Sequence, residues 1–150
     1  MKIIIGNGIH NFLFGQTEQE VISSQGQPNK KFSDEHGDIY VLFNTLETTL
    51  KFEKENNFKL SWIETSNISA SFPEFSPWGI SQVEIITKLT QILGELPEIE
   101  DYGDFQSVTF NNSWLELQFR YEKLKQINFG VLYNDESEAA WPEIRADKNN

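Results

Sequence analysis

The 150 residues carry 23 acidic and 12 basic side chains, a net charge of −11, and no cysteine. The length suffices for one domain with a real core. The charge argues against nucleic acid as a direct ligand, which needs a basic surface, and the missing thiols exclude disulfides and thiolate chemistry. Hydrophobic residues make up 38%, so the 12 Phe, 4 Tyr and 4 Trp must supply much of the buried area.

Residues 3–5 read as a short strand ended by Gly6-Asn7-Gly8, and 9–14 as a second extended piece. That first apolar run is too short for a secretory leader, and no stretch approaches the roughly 20 apolar residues of a membrane helix. A cytoplasmic protein is therefore expected, with no membrane partner. Thr17 is a helix N-cap, and Glu20 completes a capping box. Val21 and Ile22 form the buried stripe, Gly26 ends the helix in a left-handed conformation, and Pro28 prevents its continuation. Residues 29–38 are polar and turn-like.

Strands are expected over 39–44, 48–54 and 58–64, with Leu50 and Phe52 sharing one face and Phe58, Leu60 and Trp62 sharing another. Glu55-Asn56-Asn57 makes the hairpin turn. Residues 65–76 connect two halves, with Phe72 and Phe75 pinned to the core. The pattern then restarts. Ser81 caps a helix with Glu84 as its partner, Ile85, Ile86, Leu89, Ile92 and Leu93 recur at helical spacing, and Gly94 and Pro97 end it. Residues 98–104 form an acidic loop. Strands follow over 105–110, 113–121 and 125–133, with Leu115, Leu117 and Phe119 facing inward. In the polar tail, Trp141-Pro142 and Ile144 look able to pack, and the last residues are expected to be disordered.

The landmarks repeat. Phe14-Gly15 matches Trp78-Gly79, and Thr17 matches Ser81, at a spacing of 64; Gly26 matches Gly94 at 68. Phe43, Leu50 and Phe52 match Phe110, Leu117 and Phe119 at 67, and Leu60 matches Phe129 at 69. The four-residue gain across the helix predicts a second helix one turn longer. These matches point to an internal duplication. The expectation is an α+β fold: two helix-plus-antiparallel-meander repeats forming one sheet of about six to eight strands, with both helices on one face. Residues 1–150 form a single domain, with repeat one at about 9–67, repeat two at about 73–134 and a tail at 135–150.

This tandem helix-plus-meander pattern resembles the beta-lactamase inhibitor protein fold. The stretch Gly15-x-Thr17-x-x-Glu20-Val21, ending in Gly26-x-Pro28, resembles that of small outer-membrane assembly lipoproteins. Those lipoproteins need a lipidated cysteine and the inhibitor uses disulfides, whereas this chain has neither. What remains is similar to the cytoplasmic immunity proteins that accompany bacterial toxins, which are small, acidic and without enzymatic motifs. The resemblance implies a partner, a cognate and basic protein toxin such as a nuclease, bound by a monomer or weak dimer. The alternative it carries is a small-ligand or envelope-type scaffold module.

No nucleotide loop, nucleophile elbow or histidine pair at metal spacing is present. No catalytic residue, cofactor or metal is assigned, although His36 between Glu35 and Asp38 is noted as a weak metal site or a turn residue. Charge is more informative: residues 1–70 carry 6 basic and 9 acidic side chains, a net of −3, and 71–150 carry 6 and 14, a net of −8. Glu95, Glu98, Glu100, Asp101 and Asp104 form a run around Tyr102 that suits a cationic partner. The second candidate is the uncovered sheet face, where Trp114, Glu116, Gln118 and Arg120 should point. Trp114 either stands there as an anchor or packs on the tail against Trp141.

Overall fold

The structure, a computed structural model, describes residues 1–143. The packing expected of Ile144 and the expected disorder of the last residues lie outside the described residues. Three two-residue strands, β1 (Ile3–Ile4), β2 (Gly8–Ile9) and β3 (Phe12–Leu13), form a small antiparallel sheet. Helix α1 (Glu18–Gln25) leads into β4 (Lys30–Ser33), β5 (Ile39–Phe43), β6 (Thr48–Glu53) and β7 (Lys59–Thr65). Helix α2 (Gln82–Leu93) leads into β8 (Glu98–Asp101), β9 (Gln106–Phe110), β10 (Leu115–Arg120) and β11 (Lys123–Gly130).

The eight longer strands make one antiparallel sheet in the order β4-β5-β6-β7-β11-β10-β9-β8. Each helix-plus-meander unit contributes one half, and the last strands of the two units meet at the centre. There Ile63 lies opposite Phe129, and Thr65 opposite Ile127. The α+β architecture with both helices on one face is as expected, with one addition. Each meander has four strands, because the supposedly turn-like and loop-like polar stretches at 30–33 and 98–101 are the sheet's two outer strands. All eight of their residues are exposed. An edge strand needs no apolar face, and charge there discourages stray pairing.

The register fixes how the halves correspond. Leu50 faces Ile63 in one half, and Leu117 faces Ile127 in the other. Both halves carry a bulge at the same place, between Lys51 and Phe52 and between Gln118 and Phe119. Beyond the bulge Leu60 faces Phe52, and Leu124 faces Phe119. Leu60 therefore corresponds to Leu124, not to Phe129. The first hairpin is longer, with a 3-10 turn over Lys54–Asn56 before Asn57 and Phe58, both of positive φ. The second turns on Tyr121 and Glu122 alone, both of positive φ, the geometry of the tight hairpin turn.

The first bulge also corrects a face assignment. Ser61 is the extra residue, so Leu60 and Ile63 are fully buried while Trp62 between them turns to the other side. Phe58, in the hairpin turn, is 39% exposed and shares no face with either.

The helices follow their caps. In α1 the Thr17 side chain accepts from the Glu20 N–H, and Glu20 accepts from the Thr17 N–H at 2.8 Å, a complete capping box. In α2 only the first half forms: Ser81 accepts from the Glu84 N–H, while Glu84 lies 3.9 Å from Lys88. Helix α2 has 12 residues and α1 has 8, the expected extra turn. Gly94 ends α2 in the left-handed region, but Gly26 takes φ 91° and ψ −174°, a region essentially reserved for glycine. Val21 is the only buried residue of α1, with Ile22 half-exposed, and Ile92 of α2 is exposed. With so little burial, α1 depends on its cap. Thr17→Ala should cost about 1 kcal/mol, read as earlier urea unfolding and faster hydrogen exchange at the Val21 amide, which bonds the Thr17 carbonyl.

One contiguous core joins both helices, the small sheet and the inner sheet face. Phe12, Phe14, Phe52, Phe110, Phe119 and Phe129 are its largest fully buried side chains. Phe72 and Phe75 stack at 5.5 Å and tie the connecting segment to this core.

Candidate functional site

The helices and the small sheet cover one face of the large sheet, which leaves the other to be built from the alternate residues of each strand. Reading across the strands, that outer face presents Phe32, Tyr40, Lys51, Trp62, Asn128, Glu116, Ser107 and Glu100. It begins aromatic and basic at β4 and ends acidic at β8. At the β4 end Phe32 stacks on Tyr40 at 4.9 Å, and Lys51 sits 5.5 Å from the Tyr40 ring centroid. Lys51 is answered by Asp38 at 3.7 Å and Glu53 at 3.8 Å.

Three aromatics occupy the centre. Trp62 lies over Gly130 of the neighbouring strand, where an added Cβ would stand 2.7 Å from its ring. Its indole N–H donates to Glu64 at 3.1 Å. Trp114, at φ 49°, is the left-handed residue that closes the 3-10 turn Asn111–Ser113. Its ring meets Tyr133 at 4.8 Å, and Asn56 donates to the Tyr133 hydroxyl at 2.9 Å. Burial pushes the Tyr133 phenol up, a shift that this hydrogen bond only partly opposes. Trp114 remains 42% exposed and packs on Tyr133, just before the tail, rather than on Trp141. Trp141 lies instead 3.4 Å from the Cβ position of Gly15, with Lys59 over its ring at 5.6 Å.

Beside this cluster Glu116 organises a polar network. Its carboxylate accepts from Asn128 at 2.9 Å, Ser107 at 2.6 Å and Gln118 at 3.4 Å. Gln126 in turn donates to Asn128 at 2.8 Å, which fixes that amide. Two recesses flank Trp62. One of about 640 Å³ is bounded by Lys51, Glu53, Trp62, Trp114 and Tyr133, and one of about 250 Å³ by Trp62, Trp114 and Glu116.

The residues singled out from the sequence fall into separate places. Glu116 and Gln118 share the outer-face network, and Trp114 stands at its rim. Arg120 is exposed at the far end of β10, opposite Lys123. Glu98 and Glu100 lie opposite Thr109 and Ser107 and so extend the same face toward the edge. Asp101 is turned away and accepts from the Gly103 N–H at 2.8 Å. Tyr102 donates to Glu100 at 3.1 Å and stacks on Phe105 at 5.1 Å, and that bond to a carboxylate holds its phenol above the ordinary value. Asp104 is exposed in the turn. Glu95 leaves the acidic run altogether: it accepts from the Asn112 N–H at 3.0 Å and from Ser113 at 2.6 Å, anchoring the turn that presents Trp114.

Trp62, Tyr133, Glu64 and Asn128 were not among the residues singled out. The spacing that would have exposed Trp62 is masked by the bulge at Ser61. His36 is exposed, with Glu35 3.9 Å from its ring and Asp34 accepting from its backbone N–H at 3.0 Å, while Asp38 is directed to Lys51 and the Lys54 N–H. Among the described residues no group of three or more histidines and carboxylates converges as a metal site would require. No helix among them is long and apolar enough to cross a membrane.

No protein-family model matches the chain, and no curated protein does. Two solved structures share its fold. One is an extracellular protein containing an SCP domain from Bacillus anthracis, with a TM-score of 0.52 at 10% identity. The match covers 99% of this chain and 55% of that one, so the chain spans little more than half of its length. The other is the DUF4309 family protein YjgB from Bacillus subtilis, with a TM-score of 0.50 at 13% identity over 84% of this chain and 88% of that one. At such identities the likeness concerns the fold alone.

Proposed function

We propose that the chain is a non-catalytic binding protein of the immunity type, which captures and neutralises a basic protein toxin in the cytoplasm on its open sheet face. The observation that carries this reading is the Trp62–Trp114–Tyr133 cluster on the face away from the helices, with Glu116 beside it and Glu98 and Glu100 farther along the same face at β8. An exposed Trp114 beside the half-buried Trp62 and Tyr133, within a polar rim, is the make-up of an interface anchor, and a net charge of −11 steers a cationic partner toward it. The common 67-residue spacing and the shared bulge support internal duplication as the origin of the two halves.

The test is calorimetric titration against a secreted toxin, sought first in the gene immediately upstream. Stoichiometric binding that weakens as salt is raised, and toxin activity lost at one equivalent, are the expected results. Absence of binding at micromolar concentrations in low salt overturns the reading. A second reading, a small-ligand or envelope-type scaffold module, is favoured by the 640 Å³ recess beside Trp62 and by the fold likeness to an extracellular protein.

A further inference from the structure

The geometry points to the smaller recess, between Trp62 and Trp114, as a slot for one arginine side chain presented by the protein partner. This rests on the reading of the open face as the partner surface and names the partner group that it anchors. At about 250 Å³ the recess is below the roughly 300–1,000 Å³ of pockets that take whole ligands. It is lined by Trp62, Thr109, Asn111, Trp114, Leu115 and Glu116: two indoles, one carboxylate and no cation.

Its parts are fixed before anything binds. Trp62 is seated on Gly130 and tethered through its N–H to Glu64, and Trp114 is braced by Tyr133. The Glu116 carboxylate is clamped by Asn128, Ser107 and Gln118. A carboxylate offers about four acceptor positions, so three donors leave it able to receive one more.

Each feature selects among occupants. An anion would be repelled by Glu116. An apolar side chain would strip water from that carboxylate and return no hydrogen bond. A cation gains from both the indoles and the carboxylate. Arginine is favoured over lysine because its planar guanidinium stacks on an aromatic wall while its edge donates to the carboxylate.

The test uses the full chain labelled with nitrogen-15, following the indole N–H signals of its four tryptophans. A blocked glycine–arginine–glycine peptide is the probe, and its citrulline counterpart, equal in shape but uncharged, is the control. The expected result is a saturable shift of the Trp62 and Trp114 signals, about tenfold weaker with citrulline and abolished in Glu116→Gln, whose remaining signals show it folded. Equal response to both peptides, or an undiminished response in Glu116→Gln, overturns the slot. Titrating the toxin into the same variant separates the two claims. Full-strength toxin binding by Glu116→Gln overturns the slot and leaves the immunity reading standing. A selective arginine response in a protein that binds no toxin supports the slot and overturns the immunity reading.

Discussion

Replacing Phe129 by alanine is expected to cost about 3–5 kcal/mol, the largest loss from any single truncation on the central seam. Phe129 is fully buried on β11, opposite Ile63 of β7 on one side and Leu115 of β10 on the other. Above the sheet its ring meets Phe14 edge-on at 5.5 Å. It therefore touches both halves of the large sheet and the segment that joins the small sheet to α1. Four registered pairs hold β7 to β11, and the Val131 N–H extends that ladder by donating to the Ser61 carbonyl at 3.0 Å. The midpoint of urea unfolding measures the effect, with Ile68→Ala, at a residue 73% exposed, as a control expected within about 0.5 kcal/mol of the parent. A loss below about 1 kcal/mol for Phe129→Ala would mean that the two halves are not held together at this point.

The second large effect is expected from the smallest change. Gly130→Ala places a methyl 2.7 Å from the Trp62 ring and 3.1 Å from the Ser61 carbonyl oxygen. The carbonyl cannot retreat freely, because it accepts from the Val131 N–H at 3.0 Å. The indole must lift instead, which breaks its bond to Glu64 and opens the wall of the slot. Overpacking of this kind costs about 1–3 kcal/mol. Near-ultraviolet circular dichroism should change while the far-ultraviolet spectrum does not, and binding at the open face should fall with it. In a Trp62→Ala background the same glycine substitution should cost at least about 1 kcal/mol less, a coupling that a double-mutant cycle reads directly. Additive costs would show that the indole does not rest on Gly130.

These two residues also show how much of the fold is legible in the sequence. The apolar alternation of 48–53 and 115–119, the caps at Thr17 and Ser81 and the four-residue length difference between helices are periodic or local signals. They gave the helices, the inner strands and the common face. The outer strands escaped because Lys30–Ser33 and Glu98–Asp101 pair on one side only, and so owe nothing to hydrophobic period. The site escaped for a different reason. One extra residue at Ser61 reverses the inside–outside alternation, and this sends Trp62 to the open face although its spacing from Leu60 places it in the core. Glu116 and Trp114 were legible as outward-facing. Of their partners, Asn128 lies on the next strand and Tyr133 just beyond it, but Trp62 comes from β7, more than fifty residues away, and only the register brings it to them.

The two outer strands have a consequence for how copies of the protein meet. Among the described residues β4 and β8 each pair on one side only, β4 with Lys30 and with Lys31, which Glu18 holds at 2.8 Å, and β8 with Glu98, Glu100 and Asp101. Joining two copies through the same edge brings like charges together, so a closed twofold pair through either edge is opposed by Coulomb repulsion. The edge contact that charge permits is lysine side to carboxylate side, a head-to-tail arrangement that gives no twofold pair. It would lengthen the sheet one copy at a time, limited by strands of only four residues and weakened by salt. The same charges that keep each edge free of its twin therefore give the molecule a head and a tail.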